Sequence, residues 1–470
     1  MKRMIVLAVL CAFVLSAAAA SAADIKATGK WAIEAVWKDN WNFKDNGNRN
    51  NASVFEIEQR ADTIFEFIAN ENLKGVLYTR YGAQSWGQGS FGIGQGDNNA
   101  GNTIQVRRAY VDFNWPDTTI NVKAGYQAVS LPAAIGGGSM ILDEEVGSAV
   151  VSGAITDNVS YLLGYARPYS TGTSSDANVD AWVAALPLSF DGFSFTPFGM
   201  YAPIGGGTTA AATANMAGLL AQNASDQGTS GRALDDAYWL GMAFQMDLFD
   251  PFVVKADLNY GKLASRRTQN EMSGWLFDAS LEYKGFDFMT PEAFFVYTSG
   301  EDGNASKGNG SSERMPIVRA QNWAIGSFFF GGDTLLDGSF PGSNNGRPTY
   351  LGFWALGLSL KDIQSFAEGL THTATLLYAQ GTNDKSIGTA YTGASAATGQ
   401  YNYNVAYGRT LTEDDTLIEV DFNTAYKVYD GLTLTLDLGY LNLDSKTSVW
   451  GTDNKGGDAW KVSTGILYAF

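Results

Sequence analysis

The chain has 470 residues, 17 % of them charged, with a formal net charge of −17. A nucleic-acid binder of this size would carry a basic surplus, so the acidity argues against that class of partner. The one cysteine is Cys11, which leaves no pair for a disulfide and no thiolate cluster for zinc.

The N-terminus reads as a secretory signal peptide over residues 1–22, with the mature domain over 23–470. Lys2 and Arg3 form its positive start, Met4 to Leu15 its apolar segment, and Ala20-Ser21-Ala22 its small-residue cleavage site. Loss of Lys2 and Arg3 takes the net charge from −17 to −19. Cys11 would leave with this segment, and cysteine catalysis with it. Beyond residue 23 no apolar run reaches the roughly 20 residues of a membrane helix. Two readings remain: a secreted soluble protein, or a closed barrel, the other structure that satisfies its backbone in lipid. By length alone about three domains are expected, yet 54 Gly, 22 Tyr and 12 Trp are spread through the chain without a Pro/Ser-rich linker. One large β domain fits better.

The first strand starts at Ile25. Ile25, Ala27, Gly29, Trp31, Ile33, Ala35 and Trp37 share one face, and Lys26, Thr28, Lys30, Glu34 and Lys38 the other. An Asn-rich loop runs to Ala52. The second strand sets Phe55, Ile57, Ala61, Phe65 and Phe67 against Glu56, Glu58, Arg60, Asp62 and Glu66. A tight turn at Asn70–Asn72 leads to a third strand, Leu73 to about Ala83, and then a Gly/Asn-rich loop to Asn102. The fourth sets Ala109, Val111, Phe113 and Trp115 against Arg108, Tyr110 and Asp112, and Pro116-Asp117-Thr118 turns into the fifth. Further short turns fall at Asp157-Asn158, Asp191-Gly192, Asp250-Pro251, Gly285–Asp287, Lys361–Glu368 and Asp430-Gly431. Long loops lie between them, notably Pro203–Asp236, Ser299–Thr349 and Gln380–Asp415.

Alternating short turns and long loops imply 18 antiparallel strands with both termini at the short-turn end. A 16-strand barrel is the alternative, with Lys361–Glu368 the doubtful turn and Asn322–Gly331 a further candidate strand. The strands read as about 9–13 residues, longer than the 5–6 of a soluble sandwich and suited to a tilted membrane strand.

The chain ends on a strand with Trp460, Val462, Thr464, Ile466, Tyr468 and Phe470 on one face and Lys461, Ser463, Gly465, Leu467 and Ala469 on the other. The spacing of Ser463, Gly465, Tyr468 and the terminal Phe470 resembles the C-terminal assembly signal of bacterial outer-membrane β-barrels, which implies the barrel-assembly machinery as a partner. With the signal peptide and the loop asymmetry, the mature chain resembles the bacterial outer-membrane general porins, the homotrimeric family. That resemblance implies a transmembrane antiparallel β-barrel in the outer membrane, a water-filled channel for small hydrophilic solutes and ions, a homotrimer and lipopolysaccharide contacts. It also implies that the fifth-to-sixth loop, Val129–Gly147 here, folds into the lumen.

In that reading the carboxylates of Asp143, Glu144 and Glu145 on the constriction loop face a basic wall of Arg60, Arg80, Arg108 and Lys123, with Lys74 beside it. Opposed charges across a constriction select ions and orient polar solutes. The bland reading has these basic residues pair locally with Glu56, Glu58 and Asp112. The single histidine, His372, lies on the apolar face of its strand and has no triad around it. A non-enzyme is therefore expected, with an outer-membrane hydrolase as a rival. A porin selective for organic anions and a secreted all-β binding protein are two further rivals. No cofactor or metal motif stands out. Gly92-Ile93-Gly94-Gln95-Gly96 lacks the Lys and strand-to-helix setting of a phosphate loop. Asp453–Asp458 lacks the alternating carboxylates and closing Glu of a calcium loop.

Overall fold

The computed structural model describes residues 23–40, 53–87, 104–136, 138–170, 178–204, 234–265, 271–303, 311, 313–318, 335–336, 352–386, 411–450 and 456–470. The expected signal peptide, the Asn-rich loop, the Gly92–Gly96 tip and the candidate strand Asn322–Gly331 lie outside them.

Eighteen antiparallel strands form one closed sheet. In chain order they are β1 Asp24–Asp39, β2 Val54–Asn70, β3 Leu73–Ser85, β4 Ile104–Asn114, β5 Asn121–Ser130, β6 Asp143–Thr156, β7 Val159–Ser170, β8 in two pieces, Asn178–Ala185 and Leu188–Phe190, and β9 Phe193–Pro203. There follow β10 Leu234–Phe249, β11 Phe252–Ser265, β12 Met272–Tyr283, β13 Thr290–Thr298, β14 Phe353–Gln364, β15 Leu370–Gly381, β16 Thr416–Tyr429, β17 Leu432–Asp444 and β18 Gly456–Ala469. Each pairs with its sequence neighbour. β18 closes on β1 with Ile33 opposite Ile466, and Gly29 and Phe470 exchange backbone hydrogen bonds of 2.9 and 3.0 Å. Every backbone edge is thereby paired, which lipid demands.

β8 breaks at Leu186–Pro187, where proline has no N–H to give the ladder. The Pro187 and Pro197 carbonyls there accept from Ser160 and Leu186 instead. Two-residue turns such as Asp191-Gly192 and Asp430-Gly431 need a residue with positive φ, and Gly192 (φ 77°) and Gly431 (φ 85°) supply it. Beside the second, Lys427 Nζ lies 2.9 Å from Asp430, and its hydrogen bond and charge hold that turn carboxyl below the usual range.

The eight expected short turns are all present, so the 18-strand count stands and the 16-strand count does not. One boundary moves. Lys361 and Asp362 belong to β14, and the turn is 365–369. The register shifts between Leu360 and Ile363, and Asp362 has φ 55°, so this charged pair is a β-bulge that reads as a turn in sequence. Strands run from 9 to 17 residues, longer than expected at the upper end.

The two faces differ as the alternation predicts. Leu240, Leu358, Leu376, Val420 and Leu436 point outward and are 44–61 % exposed. Aromatic rings flank this apolar belt: Trp115, Phe249, Tyr429, Tyr468 and Phe470 at the short-turn end, and Trp37, Trp182, Tyr201, Trp275 and Tyr440 toward the loop end. So large a continuous apolar surface is untenable in water and is what a bilayer solvates.

The inward face is not uniformly polar. In the loop-end half of the barrel, Trp239, Leu263, Leu276, Val296, Phe353, Leu377, Leu417 and Leu441 occupy β10 to β17 in order, each at most 1 % exposed. Met140, Ile141 and Leu142 from the β5–β6 loop and Met315, Ile317 and Val318 from the β13–β14 loop complete one buried cluster with them. The barrel therefore holds a hydrophobic core inside its lumen.

Candidate channel constriction

Three arginines stand together on the inward face of β2, β3 and β4. Asp62 has a side chain 6 % exposed and takes Arg60 Nε at 3.2 Å and Arg80 Nε at 2.6 Å. Arg80 also donates to the Tyr78 hydroxyl at 2.8 Å. The Arg80 and Arg108 guanidinium carbons lie 5.8 and 5.2 Å from the centre of the Tyr78 ring. The aromatic face thus spaces two like charges that would otherwise repel. Lys123 sits apart, 3.7 Å from Asp112, and Lys74 pairs with Glu66 at 2.5 Å. Of the expected basic wall, Arg60, Arg80 and Arg108 are brought together, while Lys123 and Lys74 pair locally.

The expected carboxylates need correction. Asp143, Glu144 and Glu145 are not on the loop; they open β6, with Asp143 opposite Ser130, Glu144 opposite Val129 and Glu145 opposite Ala128. The loop proper is 131–142. The pairing of β5 and β6 continues past the point where the sequence turns acidic, and charge does not end a strand whose ladder is satisfied. Glu145 pairs with Arg107 and lies 3.6 Å from Arg108. Arg107 was not legible as a site residue. A register shift opposite Tyr78 and Thr79 makes it the extra residue of a bulge.

Acids come instead from other strands. Glu34, Glu419, Asp421 and Asp437 face inward on β1, β16 and β17 and are at most 8 % exposed. Ser463 links two of them, with its hydroxyl 2.8 Å from Glu34 and 3.4 Å from Asp437. Glu34 also accepts from the Leu336 amide at 2.6 Å, which places this part of the β13–β14 connection inside the barrel. The basic sector on β2–β4 thus adjoins the acids of β16, β17 and β1 along one arc of the wall, since β1 pairs with β2, and buried Lys38 and Lys461 stand among those acids.

The β5–β6 loop dips into the lumen. The Ala134 amide donates to both oxygens of Asp257 at 2.8 and 2.9 Å, and the Ile135 amide to one at 2.9 Å. Asp257 is on β11, five strands around the wall from β6. Residues 313–318 lie over the loop: Val318 N–H donates to Ile141 O at 2.9 Å, and Trp239 Nε1 donates to Pro316 O at 2.7 Å. Gly261 lets the indole in, since a Cβ there would stand 2.6 Å from Trp239 and 3.1 Å from Met315. Under the loop is a cavity of about 440 Å³ lined by Arg108, Tyr110, Lys123, Gln127 and Pro132, among others.

At the short-turn end of the lumen Glu282 gathers Lys361 at 2.8 Å, Lys255 at 3.0 Å and Lys284 at 3.6 Å. Glu292 also takes Lys361, at 2.9 Å. Glu282→Gln removes the carboxylate that Lys255, Lys284 and Lys361 share and leaves Glu292 to Lys361. The reversal potential in a salt gradient is expected to move toward anions, with a stability loss of about 1–3 kcal/mol in detergent unfolding.

Ser463 and Gly465 of the C-terminal signal face the lumen, and Tyr468 and Phe470 face outward with ring centres 5.7 Å apart. His372 faces outward, 2.9 Å from the Thr424 hydroxyl and stacked on Phe422 at 5.2 Å. Among the described residues no helix is long and apolar enough to cross a membrane, and no group of three or more metal-binding side chains occurs.

No family model and no curated relative matches this chain. Solved structures do. The chain resembles OccAB3 of Acinetobacter baumannii at 8 % identity and TM-score 0.54, over 95 % of this chain and 99 % of that one. It resembles OpdL of Pseudomonas aeruginosa at 10 % identity and TM-score 0.53, over 95 % and 99 %. OpdO of the same organism gives 11 %, 0.53, 95 % and 97 %. At such identity the likeness speaks to the fold. These structural neighbours are Occ and Opd outer-membrane barrels, consistent with a porin-type barrel.

Proposed function

We propose that this protein is an outer-membrane porin: a water-filled channel through which small hydrophilic solutes and ions diffuse passively. The observation that carries the reading is the combination of a closed 18-strand wall, apolar outside, with a charged inner face. A barrel of this strand number is wide enough to leave an aqueous path. No bond is made or broken. Selection follows from pore width and from the charge that the Arg60–Arg80–Arg108 sector presents to the lumen.

A second channel reading, selectivity for organic anions, is favoured by one observation: the cavity under the loop is bordered by Arg108 and Lys123. Fixed guanidinium groups suit carboxylate recognition. The homotrimer, the lipopolysaccharide contacts and the use of Ser463, Gly465, Tyr468 and Phe470 as an assembly signal are part of the same proposal, and rest on the sequence resemblance.

Purified protein in a planar bilayer is expected to give ohmic conductance steps, in threes for a trimer. Saturable block by a dicarboxylate and not by a neutral sugar would favour the anion-selective form. A folded, heat-modifiable barrel that does not conduct would overturn the channel, and solubility without detergent would point to a secreted binding protein.

A further inference from the structure

We infer that Asp257 is the catch that holds the β5–β6 loop across the lumen and so sets the width of the pore. This inference rests on the channel reading. The loop must leave the wall at Ser130 and return at Asp143, and nothing in its sequence, Leu131-Pro132-Ala133-Ala134-Ile135-Gly136, carries charge to hold it to a distant wall. The wall supplies the acceptor. Asp257 is 3 % exposed and lies in the middle third of β11. Its carboxylate takes three hydrogen bonds from two successive amides, at 2.8, 2.9 and 2.9 Å. Asp278 stands directly across the β11–β12 ladder from it and is equally buried, so two carboxyl groups meet at this point of the wall. An isolated buried carboxylate would be costly, so the loop and Asp257 satisfy one another.

The remainder of the loop is held differently. Ile141 packs in the lumenal apolar core and accepts from Val318. The loop is therefore fixed at two points of different chemistry: an apolar one near its return to the wall, and a polar one near its tip. The apolar one joins the core lined by β10–β17 and the β13–β14 loop, and the polar one holds the tip to β11. Loss of the catch frees the tip while the apolar anchor keeps the rest of the loop in the lumenal core. The barrel stays intact and the pore widens. Asp257 is thus a positioning residue for the channel: its effect is transmitted through the loop.

The test is single-channel conductance of the full-length protein in planar bilayers. Asp257→Ala and Asp257→Asn are expected to raise the unitary conductance about twofold or more and to raise the size limit for uncharged polymers that block the pore. The loop can also be re-tethered by covalent means. In Ala134→Cys/Asp257→Cys, the oxidised protein is expected to show wild-type conductance and the reduced protein the raised value. Heat-modifiable mobility on gels checks that each variant is folded. Wild-type conductance in both single variants and in the reduced double variant overturns the catch while leaving the channel standing. Absence of conductance from wild type and variants alike overturns both.

Discussion

Changing Arg60, Arg80 and Arg108 together to Gln is expected to turn the channel toward cations by about tenfold in permeability ratio. The three guanidinium groups surround Asp62 and the Tyr78 ring within hydrogen-bonding or stacking distance. With Asp62 they contribute a net charge of +2 to one sector of the wall. Without them the sector carries −1. A unit charge about 8 Å away through water shifts an ion by about 0.5–1 kcal/mol, so three changes amount to about 1.5–3 kcal/mol before screening. Salt screens beyond about 8–10 Å, but a permeating ion in a constriction passes closer than that. Gln keeps some of each side chain's length and a hydrogen-bond donor, so the wall does not collapse. The measurement is the reversal potential under a salt gradient. A value equal to wild type would mean that the arginines lie off the permeation path and serve only to pair with Asp62 and Glu145. Low salt should enlarge the difference and high salt reduce it.

Trp239→Ala is expected to be the most destabilising single change, by about 3–5 kcal/mol. Trp239 is fully buried on the lumenal side, where one expects water. It packs against Gly261 and Met315, and its indole N–H donates to Pro316 O at 2.7 Å. Removing it opens a cavity in the core that joins β10–β17 to the β13–β14 loop. Trp239→Phe separates the two contributions. It keeps most of the volume and loses the hydrogen bond, so it should cost about 1 kcal/mol for the bond and somewhat more for the orphaned carbonyl. Denaturant unfolding in detergent, or the temperature at which the folded gel band is lost, reads both. An alanine variant as stable as wild type would show that the lumenal cluster contributes no packing energy. Residues 313–318 would then be held by other contacts.

The arginine sector was legible because strand parity is rigid. One residue in two faces inward, and Arg60, Arg80 and Arg108 obey that rule once the strands are placed. The acids were not legible at the right place. Asp143-Glu144-Glu145 looks like a loop because it is acidic and follows three glycines, but whether a strand continues depends on its partner, and Ser130, Val129 and Ala128 were there to pair with it. Arg107 was hidden by a bulge, which shifts parity by one. Asp257 reads as one more inward polar residue on its strand. Nothing near it in sequence announces that Ala134 and Ile135, more than 120 positions away, bring their amides to it.

The chain by itself determined the wall. Period-two alternation, glycine at the tight turns, the eight short turns and the aromatic end at Phe470 are local signals, and each is set by φ/ψ sterics or by which face meets lipid. They point to a barrel and to the orientation of its faces, while the choice of 18 strands over 16 came from the pairing of β14 with β15 around the Lys361–Asp362 bulge. What fills the barrel was decided only by the tertiary structure. Trp239, Phe353, Leu377 and Leu441 face inward among outward apolar residues, so both faces of their strands are apolar there, and the sequence cannot say what covers the inner one. The cover is Ile141, Met315 and Ile317, brought from two remote loops. Loop closure costs entropy that grows only slowly with length, so chain distance sets no rule for where a long loop settles. Its resting place is decided by the surface it can bury and the carboxyl group that receives its amides, and both exist only once the wall has closed.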